Sequence, residues 1–283
     1  MSLVLADAVK DNSVAEAYRT AMSGIKQAVN ARLWDPAQNL FYDNDTIQVP
    51  SSVHPQDGNS WAIVAGLVDP DRAAAISDAL KARWVQPHGA PAPEAGATVS
   101  PFVSGFEVQA HYLAGHAEYA VQLMEFMWAD FMLDDPRMTN SSFIEGYSTN
   151  GDLHYAPYDN DARISYAHGW ATGPTSALTF YAVGLRPETG AGKTWSVRPR
   201  LGQLEEVEAG FETPLGMFSA EWQKCSCGGA RGRFETPKST SGTVVLDECV
   251  TLKGPKGKLR PTSKADGMAT YENVPGGHYR VVG

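Results

Sequence analysis

Up to Gly184 the apolar residues of this 283-residue chain recur at the three-and-four spacing of helices; beyond Pro187 they fall in short runs separated by Gly, Pro and charged turns. One helical or one all-β architecture cannot accommodate both periods. The switch predicts an α+β, multidomain chain, helical over 1–187 and an antiparallel β-sandwich over 188–283, with the boundary between Arg186 and Lys193. The length accommodates two ordinary domains.

Val14, Ala17, Tyr18, Ala21, Ile25, Ala28 and Val29 share one face of a predicted helix over 14–33. Asn59 or Ser60 is placed to cap a second helix running to Val68. Asp69-Pro70-Asp71 opens a third over 72–84. The Pro-, Gly- and Ala-rich stretch 86–101 reads as a loop, and 105–114 and 117–133 read as helices joined at Gly115. A last helix starts at Gly173-Pro174 and stops at Gly184. Short-linked helix pairs are αα-hairpins, and several in series suggest a toroid of hairpins. Trp61 and Trp128 lie within apolar runs and are expected in the core. Glu107 and His111, one helical turn apart, are expected to form a surface pair. In the second part, 194–197, 216–222, 243–246 and 279–282 read as strands, with a turn at 213–216.

The net charge of −9 opposes nucleic acid as a partner, because phosphate binding needs a basic face. No run of 18 apolar residues predicts a membrane span. The N-terminal segment lacks the basic start of a secretory signal, and the compartment stays open. Cys225, Cys227 and Cys249 are too few for a structural zinc site without added His, so neither metal nor cofactor is expected. Either one disulfide to Cys249 or three free thiols fits. Asn44-Asp45-Thr46 and Asn140-Ser141-Ser142 match the glycosylation acceptor pattern, which matters only in a secretory pathway.

The stretch 134–166 loses helical periodicity over a length at which loops are often functional. It interleaves Asp134, Asp135, Glu145, Asp152, Asp159 and Asp161 with Phe143, Tyr147, His154, Tyr155, Tyr158 and Tyr166. Carboxylates among aromatics suit a sugar: rings for its C–H faces, acids for its hydroxyls and for activating water. The plainer reading is a solvated acidic loop whose aromatics fold back onto the core. Asp159-Asn160-Asp161 lacks the remainder of a calcium loop and reads as an Asx turn. His168-Gly169-Trp170 precedes a helix start, where free N–H groups favour a hydroxyl or developing charge.

Phe143-Ile144-Glu145, then Ser165-Tyr166-Ala167-His168-Gly169-Trp170-Ala171-Thr172-Gly173-Pro174-Thr175 and an apolar helix, resembles the inverting α-L-rhamnosidases. These are six-hairpin glycosidases with an (α/α)6 barrel and a C-terminal β-sandwich. Arg198-Pro199, Leu201-Gly202 and Thr213-Pro214 with Gly216 fit the family's β domain, so the resemblance covers nearly the whole chain. It implies that Glu145 is the general base, that His168 contacts the sugar of the −1 subsite and that Trp170 walls the pocket. Inverting glycosidases pair such a base with a general acid. The family's acid lies in an Arg-Asp-Glu-Arg-like motif followed by a Trp-x-Gly-Asp-like block, and this sequence has neither.

The resemblance therefore implies the C-terminal half of the barrel plus the β-sandwich, carrying the general-base half of the site and inactive alone. Its partner would be a rhamnoside, and a second chain or a preceding segment would complete the barrel. The alternatives are a non-catalytic carbohydrate-binding remnant, another six-hairpin glycosidase, or a polysaccharide lyase using Arg163 and His154.

Overall fold

A computed structural model describes residues 9–46 and 53–283. The reading of the N-terminal segment as no secretory signal falls mostly on residues 1–8, outside the described residues. Among the described residues no helix is long and apolar enough to cross a membrane.

Helix α1 (Asn12–Arg32) starts where Asp11 accepts from Val14 N. Most of its predicted apolar face is not covered: Val14, Tyr18 and Ile25 are exposed, within the helix only Ala15 is buried, and Val29 alone of that face packs against the core at the C-terminal end. Polar bonds tie down its C-terminal half instead, with Lys26 Nζ donating to Gly66 O and Asn30 Nδ2 to Leu67 O. A short hairpin, β1 (Trp34–Asp35) with β2 (Leu40–Phe41), follows.

Helix α2 (Gln56–Val64) begins earlier than its predicted caps. Its first amides, Gln56 N and Asp57 N, donate to the carboxylate of Glu94, a loop residue far along the chain. Asn59 is instead buried and clasps the backbone of Phe41 through both its amide groups. Helix α3 (Pro70–Lys81) has the expected Asp69 cap on Arg72 N.

Helix α4 (Pro101–Ala114) is the hub. It ends at left-handed Gly115 and carries α2 and α3 against it. Helix α5 (Ala117–Leu123) continues as wider π turns over Met124–Leu133, and α6 (Gly173–Ala177) does the same over Leu178–Ala182. Helices α4 and α6 touch backbone to backbone: a Cβ built at Gly173 would lie 2.5 Å from Gly105 Cα. Two side-chain-free positions therefore set how closely α6 approaches.

Two further expectations for the helical part are overturned. Glu107 and His111 are not at the surface; both are almost completely buried. Glu107 accepts from Gln56 Nε2 (2.6 Å) and Trp84 Nε1 (2.6 Å), and His111 Nε2 lies 3.2 Å away. Ser77 Oγ bridges His111 Nδ1 (2.6 Å) and His116 Nδ1 (2.9 Å). The pair faces inward because α2, α3 and the Trp84 segment cover that side of α4. Trp61 is not core either. It is 46% exposed and lies against Phe106 at 4.7 Å, because no described element covers that side of α2. Trp128 is buried, as expected, and donates to Ala171 O at 2.7 Å.

The β part begins with β5 (Leu185–Pro187) and β6 (Thr194–Val197). The long strands β7 (Glu206–Thr213), β8 (Gly216–Lys224), β9 (Ala230–Glu235) and β10 (Ser241–Asp247) follow. The remainder are β11 (Thr251–Gly254), β12 (Gly257–Lys258), β13 (Ser263–Ala265), β14 (Met268–Pro275) and β15 (His278–Val282). They form a five-stranded sheet, β13-β14-β10-β6-β5, and a six-stranded sheet, β12-β11-β15-β9-β8-β7.

Alternation puts Phe218, Ala220 and Trp222 of β8 and Val244 and Leu246 of β10 inside, so both sheets feed one core. Pairing is antiparallel as predicted, except that β6 and β10 run parallel. Gly242 lies where a side chain would run into Trp195 on the facing strand. Trp222 Nε1 donates to Val183 O at 2.9 Å, fixing the six-stranded sheet to the end of α6.

Candidate active site

The stretch 134–166 is ordered by its own apolar residues. Met138, Ile144, Tyr147 and Ile164 are buried in the core built on α4 and α5, and Phe143, Leu153, Tyr155 and Tyr158 pack against it. β4 (Tyr147–Ser148) pairs with β3 (Thr98–Val99), anchoring the loop to the segment before α4. Many aromatics therefore do fold back onto the core, and Glu145 emerges between two of these anchors. Asn160 accepts from Ala162 N, the Asx turn expected there.

Backbone pairing brings the two distant motifs together. Glu145 N donates to Ser165 O at 2.8 Å, and His168 N donates to Phe143 O at 2.9 Å. These bonds lay 143–145 beside 165–168 and aim both side chains into one space. The Glu145 carboxylate, 14% exposed, is held at both oxygens: Tyr158 Oη donates to Oε1 at 2.5 Å and Ser165 N to Oε2 at 3.1 Å. His168 Nδ1 lies 4.0 Å from Oε2. The bond to Glu145 raises the Tyr158 phenol above its ordinary range, because the neighbouring carboxylate favours the protonated form. Glu145 thus has a fixed orientation and an opening toward solvent.

Gly146 is required beside it, since a Cβ there would collide with the Tyr155 ring. His168 starts a short 3₁₀ turn, Gly169–Ala171, which is pinned from beneath by Trp128 and leads into α6. Trp170 is 67% exposed, with its ring edge against Phe102 at 4.8 Å. The ring contacts continue from Phe102 to Phe106 and Trp61, giving an aromatic band beside the turn.

All three residues singled out from the sequence thus lie on one short stretch of paired backbone, with Glu145 and His168 adjacent and Trp170 projecting outward. Tyr158 and the Ser165 amide were not singled out as site groups. Tyr158 was visible only as one aromatic of an acidic loop, and a backbone donor leaves no mark in sequence. His154, a candidate for a lyase, is engaged at the surface with Asp161 at 2.8 Å. A broad concavity of about 1140 Å³ on the six-stranded sheet, walled by Glu221, Arg233, Glu235 and His278, includes none of Glu145, His168 or Trp170.

Residues 184–258 match the family described as the bacterial alpha-L-rhamnosidase C-terminal domain. No curated protein matches the sequence. Among solved structures, the alpha-L-rhamnosidase of Streptomyces avermitilis complexed with L-rhamnose is similar with a TM-score of 0.63 and 16% identity, covering 99% of this chain and 25% of that one. The alpha-L-rhamnosidase of Dictyoglumus thermophilum gives 0.67 and 14%, over 99% and 30%. The GH78 family rhamnosidase of Bacillus sp. GL1 gives 0.58 and 20%, over 79% and 22%. The resemblance to the α-L-rhamnosidases expected from the residues is borne out, and at these identities the solved structures speak for the fold. The chain spans 30% or less of the length of each of these three structures.

Proposed function

We propose that this chain is the C-terminal part of an α-L-rhamnosidase-type glycoside hydrolase that inverts terminal α-L-rhamnosides. In this reading α1–α6 are half of an (α/α)6 toroid, 1–187 and 188–283 are its two domains, and Glu145 is the general base. The observation that carries it is a half-buried carboxylate clamped by Tyr158 and Ser165, with His168 4.0 Å from its outer oxygen. Glu145 would take a proton from the water attacking the anomeric carbon. The His168 ring would bond a hydroxyl of the bound sugar, and the Trp170 indole would offer a face to its C–H surface.

Inversion also needs an acid about 6.5–9.5 Å across the bond to protonate the leaving oxygen. The acid motif implied by the resemblance is not in this sequence. Acid–base assistance is worth roughly 10²–10⁴-fold per group. The chain alone is therefore expected to turn over little or no substrate, the donor coming from a further segment or chain. Hydrolysis of an aryl α-L-rhamnoside tests this: robust turnover by the purified chain itself would overturn the missing donor, and turnover that survives Glu145→Ala in a protein that also carries the acid segment would overturn the base.

The exposed Trp170 favours a second reading, a sugar-binding remnant without hydrolysis. Calorimetry with L-rhamnose, comparing the chain with His168→Ala, separates the two. Heat lost in the variant, with no turnover even when a segment or chain carrying the acid is supplied, supports the remnant; turnover on that addition supports the hydrolase.

A further inference from the structure

The hydrolysis proposed above leaves three sulfur atoms unused, and they converge at one end of the β part. Cys225 and Cys227 lie in the β8–β9 turn of the six-stranded sheet, and Cys249 lies in the connection by which the chain passes from β10 of the five-stranded sheet to β11 of the six-stranded one. Both turns are tight: Cys225 N bonds Gly229 O, Gly228 N bonds Cys225 O, and Val250 N bonds Asp247 O. Gly229 lets them approach, because a Cβ there would meet Asp247 and Cys249 Sγ. Cys227 and Cys249 are disulfide-bonded with Cα atoms 6.4 Å apart, while Cys225 is a free, partly buried thiol. All three Sγ atoms lie within 4.8 Å of one another. A staple needs two sulfurs, and the third has no part in it.

We propose that reduction of the Cys227–Cys249 disulfide turns these three cysteines into a three-thiolate site for a thiophilic divalent cation of the zinc type. A dithiol reductant supplies two electrons and two protons to the S–S bond and becomes a disulfide itself. The cation then displaces one proton from each of the three thiols. Zinc–sulfur bonds of about 2.3 Å around a tetrahedral ion place sulfurs roughly 3.8 Å apart, so the Cys227 and Cys249 sulfurs must part once their bond is cut, and the wider separations must close by no more than about 1 Å. Side-chain rotation in exposed turns supplies that. Cys227 and Cys249 are exposed, which gives the ion an entry path and leaves the fourth position to water. In the oxidised chain a lone thiol remains, so the site opens only under reducing conditions. The redox state would thus exchange one cross-link between the β8–β9 turn and the β10–β11 connection for another.

The test uses the whole chain, oxidised and reduced, titrated with Zn²⁺ against a chromophoric chelator and with Cd²⁺ by thiolate charge-transfer absorbance. One ion per reduced chain is expected, with no comparable binding when oxidised. Loss of a direct ligand in Cys225→Ser should weaken binding by more than the roughly 10–100-fold that outer-shell partners cost. Alkylating Cys225 in the oxidised chain, then reducing it, must abolish the band; this arm needs no variant to fold. Equal affinity in the oxidised chain, or undiminished affinity after Cys225 is replaced or blocked, would overturn the proposal.

Discussion

Replacing Glu107 by Ala should be among the most damaging single changes in the helical part. The carboxylate accepts from Gln56 Nε2 and Trp84 Nε1 and faces His111 Nε2. Ser77 Oγ lies between His111 Nδ1 and His116 Nδ1, so with Nε2 as the His111 nitrogen that donates to the carboxylate and Nδ1 as an acceptor, Ser77 donates to His111 and accepts from His116. One acceptor thus orders a chain reaching from the core to the surface. Removing it leaves three donors unpaired in a dry site. At about 1–3 kcal/mol for each of the three unsatisfied buried groups, the loss is about 3–9 kcal/mol. That is a large share of the roughly 5–15 kcal/mol by which a whole domain is stable. Glu107→Gln keeps the shape and turns one amide hydrogen toward a donor, for a loss of about 1–3 kcal/mol. Urea denaturation followed by tryptophan fluorescence and far-UV circular dichroism measures both, with exposed Glu118→Ala as the control expected within about 0.5 kcal/mol of wild type. A Glu107→Ala loss no larger than the control's would refute the claim that the network stabilises the fold.

Gly173→Ala should push α6 from α4 and cost about 1–3 kcal/mol, the usual penalty of overpacking, read as a lower urea midpoint. Burial raises the phenols of Tyr112 and Tyr147 above the ordinary tyrosine range. Their folded-state protons are held more tightly, so their contribution is intact below pH of about 10 and falls as pH rises further. Tyrosinate absorbance should therefore show these phenols silent until the chain unfolds, and early titration of all eleven tyrosines would contradict it. The exposed face of α1 should drive association. Met22→Lys with Ile25→Glu is expected to lower the sedimentation-average mass without changing helix content, and an unchanged mass would refute a role for that face.

Where the determinants are local, the sequence is readable. The Asp69 cap and Pro70 mark the start of α3, Gly115 its neighbour's end, and alternation in 216–222 a half-buried strand. Where the partner is distant, it is not. Helix α2 starts at Gln56 because Glu94 reaches it from a loop, which no window around residue 56 contains. Trp61 and Glu107 occupy helix positions whose burial depends on which neighbour covers each face, and periodicity does not name the neighbour. In the site, Glu145, His168 and Trp170 were readable as residue types. Tyr158 and the Ser165 amide were not, because the clamp exists only once 143–145 pairs with 165–168.

The parallel pairing of β6 with β10 imposes an order of assembly. The chain lays down the β5–β6 hairpin, departs to build three strands of the other sheet, and returns with β10 to the exposed edge of β6. β10 is then closed only by β14, and β9 only by β15. Residues 184–258, though recognisable as a sequence unit, thus hold three strands, β9, β10 and β11, each with a partner beyond them. Loop closures this long are intrinsically slow to form. During synthesis, the β part would complete both sheets only after residues 268–282 have emerged, and until then β10 and β9 would offer unpaired edges to any strand that meets them.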